Sequence, residues 1–399
     1  MTSVIALPRR RLGVATRAGR NRLRHPGPPP GERTGTFIVL VAVVLVLVPF
    51  GLVMVLSSSS LVALEESRST WSYVARQTAW AALGSIGLVA ALWSSPQTWR
   101  RWCRLALIAV LGLLAAVLVV GPTINGARRW IGFGPFTMQP SELAKIALIL
   151  VCADLLAPRP GREISRRWAL SIIAVLVVVV SGLVLREPNM GTTLIIVAIV
   201  GAIVFAAGAR LTTLLGASVL CGLVAVHQVV SKPYRQRRLV AMMDPWANGD
   251  DSGYQALQAG VGFADGGLTG LGLGQSKAKW GYLPFAHTDF VFAIIGEELG
   301  LIGALVIVAL FVAVAFLGVR AASRAADPFC ALVAAGITTW IVAQAFLNIG
   351  VVVGLLPNTG VPLPFVSYGG SSLLVTMIGI GMLLNIARHP AAERLAEPL

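Results

Sequence analysis

Long apolar runs alternate with short polar segments along most of this chain, centred on residues 37–56, 74–94, 105–121, 142–156, 169–185, 192–209, 214–230, 299–319, 330–356 and 372–387. The ~30 Å hydrocarbon layer of a bilayer takes about 20 residues of helix. These runs are apolar on every side, whereas a barrel strand would alternate apolar and polar positions, so each predicts a transmembrane helix. The expected architecture is an all-α integral membrane domain over residues 36–387, with about ten transmembrane helices. A large loop, 231–288, separates the seventh span from the eighth, and tails of 1–35 and 388–399 flank the domain.

Basic residues orient it. Lys and Arg of short loops stay on the cytoplasmic side, and the first tail carries Arg9, Arg10, Arg11, Arg17, Arg20, Arg22, Arg24 and Arg33. Alternate loops repeat the bias, with Arg100, Arg101 and Arg104, then Arg166 and Arg167, then Arg210, then Arg320 and Arg324, then Arg388 and Arg394. Both termini are therefore expected in the cytoplasm. The first tail is rich in Pro and Gly as well as Arg, a composition that predicts disorder.

Of the 399 residues 56% are hydrophobic and only 12% charged, far more apolar surface than a soluble core of this length needs. The net charge of +15 lies mostly where membrane insertion and anionic headgroups account for it, so nucleic acid is not an expected partner. Cys103, Cys152, Cys221 and Cys330 stand in or beside separate spans without metal-like spacing and read as small apolar fillers.

Four segments fall on the outer face: 122–141, 186–191, 231–288 and 357–370. They hold Arg128, Arg129, Arg186, Lys232, Arg235, Arg237, Arg238, Lys277 and Lys279, against the usual bias. Long loops escape that bias, but 122–141 is short, and its Arg128-Arg129-Trp130 places a guanidinium pair at the membrane surface. Such forks suit phosphate and pyrophosphate. Glu142 and Lys145, three apart at the start of the fourth span, share a helix face and read either as an ion pair between helices or as the wall of a polar cavity.

Residues 289–319 read as one helix of ~45 Å, longer than the hydrocarbon layer, so its first third reaches the outer surface. By spacing alone Thr288 is an N-cap and Asp289 a first-turn acid. At ~100° per residue Glu297 lies about 80° from Asp289 and Glu298 nearly opposite, so Glu297 is the one expected to share a site with Asp289. His287 reads as a polar loop residue. The segment PNTGVPLPFVSYGG, 357–370, cannot be helical and needs protein or water to satisfy its backbone. Its Ser367 and Tyr368 are candidates for lining a cavity.

NGARRW (125–130), GPFTMQPSELAK (134–145), YQALQ (254–258), GGLTGLGLG (266–274), LPFAHTDFVFAIIGEELG (283–300) and GVPLPFVSYGGSS (360–372) together resemble the SEDS family of FtsW, RodA and their sporulation relatives, the integral-membrane peptidoglycan glycosyltransferases. The FtsW branch resembles the chain more closely, through Asp244-Pro245-Trp246 and KAKWGY (277–282). The resemblance implies that the chain polymerises lipid II in the bacterial inner membrane at the division septum, with undecaprenyl pyrophosphate leaving. It implies Asp289 as the general base, Glu142, Lys145, Glu297, Ser367 and Tyr368 as substrate-cavity residues, and Arg129 as a candidate for the pyrophosphates, to which charge and side of the membrane alone add Lys232, Arg235 and Lys279.

A single-pass class B penicillin-binding transpeptidase and other divisome membrane proteins are the implied partners. A divalent cation, Mg or Mn, would screen the leaving group but has no residues to which it can be assigned. Two positions depart from the family pattern, Asn189 in place of Asp and Phe285 in place of Glu. A lipid II flippase or transporter, or a non-catalytic divisome scaffold, is the competing reading. Neither needs a base at the headgroup level.

Overall fold

The computed structural model describes residues 33–65, 67, 69–124, 126–133, 136–158, 165–247 and 253–390. Residues 1–32 and 391–399, most of the two expected tails, lie outside them. The elements are α1 (Gly35–Glu65), α2 (Ser72–Trp93), α3 (Pro96–Val120), β1 (Ile131–Phe133), β2 (Phe136–Met138), α4 (Pro140–Leu156), α5 (Arg166–Arg186), α6 (Met190–Ala206), α7 (Leu211–Val230), α8 (Pro233–Met243), α9 (Tyr254–Gly266), α10 (Val291–Ser323), α11 (Pro328–Val352) and α12 (Gly370–Arg388).

Every expected span coincides with a helix. Seven of them, α1, α3, α5, α7, α10, α11 and α12, are long and apolar enough to cross a membrane. The other three are α4 and α6, at 17 residues each, and α2, which carries Arg76, Gln77 and Thr78 early in its length. The fold is helical apart from one feature that an all-α expectation misses: β1 and β2 pair antiparallel, Ile131 opposite Met138 and Gly132 opposite Thr137. The large loop also differs from expectation, because it folds into α8 and α9.

Close helix contacts are made through small residues, as lipid provides no hydrophobic drive to bring helices together. A Cβ on Gly381 would stand 2.4 Å from the Leu88 carbonyl oxygen, so α12 meets α2 backbone to backbone. None of the four cysteines forms a disulfide, and Cys103, Cys152 and Cys330 are buried among apolar neighbours.

α10 corrects the expected unbroken helix. At Gly300 the backbone turns to φ +67°, ψ −169°, a conformation that L side chains disfavour. The main-chain groups freed by this break are satisfied by residues 267–272. Leu271 and Gly272 donate to the carbonyls of Glu297 and Glu298 at 3.0 and 2.9 Å, and Leu301 donates to Gly267 O at 2.9 Å. Main-chain groups freed inside a packed helix need such partners, because leaving them unpaired away from water is costly. A Cβ at Gly300 would lie 2.4 Å from Gly270 N, so the turn segment 267–272 and the helix touch directly.

Candidate active site

Asp289 lies outside α10, correcting its expected place in a capped first turn. The helix starts at Val291 with Phe290 at its N-cap, and Thr288 Oγ1 donates to Phe285 O instead of capping. Loop 283–290 is tied to loop 357–370 twice. Tyr368 N donates to His287 O at 2.9 Å, and Asn348 Nδ2 on α11 donates to both Asp289 O (2.7 Å) and Val361 O (2.8 Å). Gly360, at φ +68°, brings the second loop against the carboxylate, since a Cβ there would stand 3.5 Å from Asp289 Oδ2.

Asp289 is half-buried. Burial raises its pKa to about 6, while the guanidinium groups of Arg238 and Arg129 pull in the opposite direction. It therefore binds protons near neutral pH, as a general base should.

Arg129 is fixed by its fork: Nε donates to Glu187 O and Nη2 to Pro188 O, both at 2.7 Å. These bonds tie the segment before the β1–β2 hairpin to the end of α5, while β2 packs on α12. Glu187 was not a sequence candidate. It is fully buried, neither carboxylate oxygen has a hydrogen-bond partner, and burial lifts its pKa to about 8 against the pull of Arg129. A neutral acid thus lies beside the guanidinium and leaves its positive charge uncancelled at neutral pH. The signal available in the sequence was its place in the short outer segment 186–191.

Glu142 and Lys145 are brought together but enclosed. Lys145 Nζ donates to Glu142 Oε1 and to Gln344 Oε1, each at 2.8 Å, and stacks 4.7 Å over the Trp340 ring. Gln344 Nε2 then donates to Pro362 O at 3.0 Å. The expected cavity wall is thus a buried strut that reaches the loop facing Asp289. Ser367 is buried, its Oγ accepting from Leu363 N, and its carbonyl accepts from Gln77 Nε2. Tyr368 is partly exposed and forms an edge-to-face group with Tyr73 and His287, with centroids 5.1 and 5.8 Å from the Tyr368 ring.

Glu297 does not join Asp289. Its carboxylate accepts from Ser276 Oγ and from the main-chain N–H of Lys277 and Ala278. Glu298 accepts from Ser57 Oγ on α1 and from Lys279 Nζ, the latter at 3.2 Å. Lys279 is consumed in this buried cluster, which pins residues 274–279 to α10 and α1. Lys232 is exposed at the start of α8, and Arg235 is buried with Nη1 on Gln228 of α7. One turn beyond Arg235, Arg238 is the α8 cation whose charge is felt at Asp289. Its Nη1 donates to Asn358 O at 2.8 Å.

Among the described residues no three of His, Cys, Asp and Glu gather as ligands, and the charged neighbours of Asp289 are cations. Asn189, one of the two departures, caps α6 by accepting from Thr192 N at 3.1 Å. Phe285, the other, is exposed and takes φ +59° where the loop turns toward Thr288.

A polytopic helical membrane protein with one loop carboxylate, set against a glycine- and proline-rich loop and within the field of two guanidinium groups, is the class these features define. The model of the cell cycle protein family of FtsW, RodA and SpoVE matches residues 37–392, and the chain belongs to that family. It is 40% identical to a probable peptidoglycan glycosyltransferase FtsW of Geobacter metallireducens, over 89% of this chain and 95% of the relative. Identity to stage V sporulation protein E of Bacillus subtilis is 38%, over 90% and 98%. Among solved structures, a chain of a peptidoglycan synthase complex that coordinates polymerization and crosslinking superposes with TM-score 0.73 at 31% identity, covering 88% and 96%. The rod shape determining protein RodA of Thermus thermophilus gives 0.65 at 29%, covering 88% and 95%.

Proposed function

We propose that Asp289 is the general base of this peptidoglycan glycosyltransferase. Its ionised carboxylate takes the proton from the C4 hydroxyl of the acceptor N-acetylglucosamine. The oxygen then bonds to the anomeric carbon of the donor N-acetylmuramic acid as the bond from that carbon to phosphate breaks, releasing undecaprenyl pyrophosphate. Arg129 and Arg238 offset the negative charge that grows on the leaving group. The glycan is extended by one disaccharide, and Asp289 returns its proton to water. The observation that carries this reading is a half-buried loop aspartate, raised to about 6, that feels two guanidinium groups, each held by hydrogen bonds to main-chain carbonyls.

The same reading places all ten spans in the inner membrane with both termini in the cytoplasm and Asp289 on the outer side. Lipid II is the substrate, the septum the site of action, and a class B penicillin-binding transpeptidase the partner that crosslinks the product. The similarity to a chain from a synthase complex supports a crosslinking partner. The test is purified protein with its transpeptidase, reconstituted with lipid II. Wild type should form glycan polymer and Asp289→Ala none. Polymer from the variant removes Asp289 as base, and lipid translocation without polymer favours the flippase.

A further inference from the structure

Under α8 and α9, against the end of α11, lies a cavity of about 550 Å³ that the reaction above leaves without a role. Small-molecule sites occupy about 300–1,000 Å³. Its walls are apolar apart from Arg238, Gln255 and Asn358, and those three form one network. Arg238 Nη1 donates to Asn358 O at 2.8 Å, and Asn358 Nδ2 donates to Gln255 Oε1 at 2.6 Å. A cation is thereby held in place on an otherwise apolar space.

Two features connect this space to the reacting groups and to lipid. Phe290, the residue after Asp289, lines it, and Arg238 serves both places. Among its lining residues Trp246 is 81% exposed, Val261 49% and Val353 43%. In a chain that spans a bilayer, exposed apolar groups and an exposed Trp near the outer surface meet lipid and its headgroups. A free sugar or a peptide would leave its polar groups unsatisfied against such walls. An apolar chain ending in an anionic group matches them, because a guanidinium pairs with phosphate oxygens.

We propose that this cavity receives the first isoprene units of a polyprenyl diphosphate, with the diphosphate at Arg238. This rests on the glycosyltransferase reading for the identity of the lipid and adds where its chain is held. Gly260 gives a direct test. It lines the cavity, and a Cβ built there meets nothing within 4 Å, so Gly260→Phe projects into the open space without displacing backbone.

The full chain with its partner in nanodiscs is irradiated with farnesyl diphosphate bearing a diazirine on its terminal isoprene, and the labelled residues are mapped. Label is expected on α8 and α9, around Met242, Ala256 and Val261, competed by undecaprenyl diphosphate. Gly260→Phe should cut it about tenfold, the factor that follows from losing burial of a few methylene groups. Arg238→Gln should cut it similarly, and Gly260→Ala should label as wild type does. Diazirine-bearing farnesol, which lacks the diphosphate, should label weakly.

Label elsewhere, or equal label in wild type and Gly260→Phe, overturns the assignment. So does unchanged label with loss of a bound protein from Gly260→Phe, which would give the cavity to a protein segment. Labelling needs no turnover. A chain that labels as expected but makes no polymer sinks the glycosyltransferase reading alone, and a chain that polymerises without label sinks the cavity assignment alone.

Discussion

The side-chain amide of Asn348 donates to the main-chain carbonyl of Asp289 at 2.7 Å, so a buried residue of α11 fixes the proposed base from behind. The same amide holds Val361 at 2.8 Å and thereby sets the spacing of two loops. Leaving such buried groups unpaired costs about 1–3 kcal/mol, and a ~1 Å shift of a reacting group costs about 100-fold in rate. Asn348→Leu is expected to lower kcat for glycan synthesis about 10–100-fold, with KM for lipid II changed far less. A rise in KM at constant kcat would place Asn348 in substrate binding instead.

Asp289 and Glu187 are raised by burial to about 6 and about 8, and the two shifts have different consequences. A base must be ionised, so the polymerisation rate should rise with pH through about 6 and level off above it. Glu187 is stabilising in its neutral form. Its contribution is complete below the ordinary carboxylate pKa near 4.5, declines above it and is lost as pH passes about 8. Glu187→Gln copies the neutral form, so its melting temperature should fall less than that of wild type between pH 5 and 9. Parallel melting curves for the two proteins across that range would show that Glu187 is ionised in the folded chain.

Lys279 Nζ is the cation that meets Glu298 in the buried cluster over α1 and α10, and it also donates to Gly274 O. Removing one partner of a buried pair strands the other, at a cost of about 3–5 kcal/mol. Lys279→Met should therefore destabilise the protein strongly, and the double variant Lys279→Met with Glu298→Gln should recover most of the loss. Thermal unfolding in detergent of the wild type, both single variants and the double variant measures the coupling. Additive effects would mean that the pair is not formed.

The helices were legible because lipid imposes a length and an all-round apolarity that any window of the sequence displays. The break at Gly300 was not, since a glycine in an apolar run looks tolerable until residues 267–272 arrive to satisfy the freed backbone. Spacing read Asp289 as a cap for a related reason: the helix starts two residues later, where loop 283–290 closes on itself. A helical wheel sends Glu297 and Glu298 to different sides, yet residues 274–279 wrap far enough around α10 to collect both. Arg238 was one cation among nine on the outer segments. Its hydrogen bond to Asn358, 120 positions away, and its influence on Asp289 distinguish it from Arg235 and Lys232.

The discontinuity at Gly300 divides α10 mechanically. Its outer piece, 291–299, is a short rigid rod with Asp289 two residues before its head and the cross-bonded segment 267–272 gripping its foot. Segment 267–272 and Asp289 thus sit at opposite ends of one nine-residue helical piece, so the main chain that satisfies the break and the main chain that carries the proposed base belong to the same short unit.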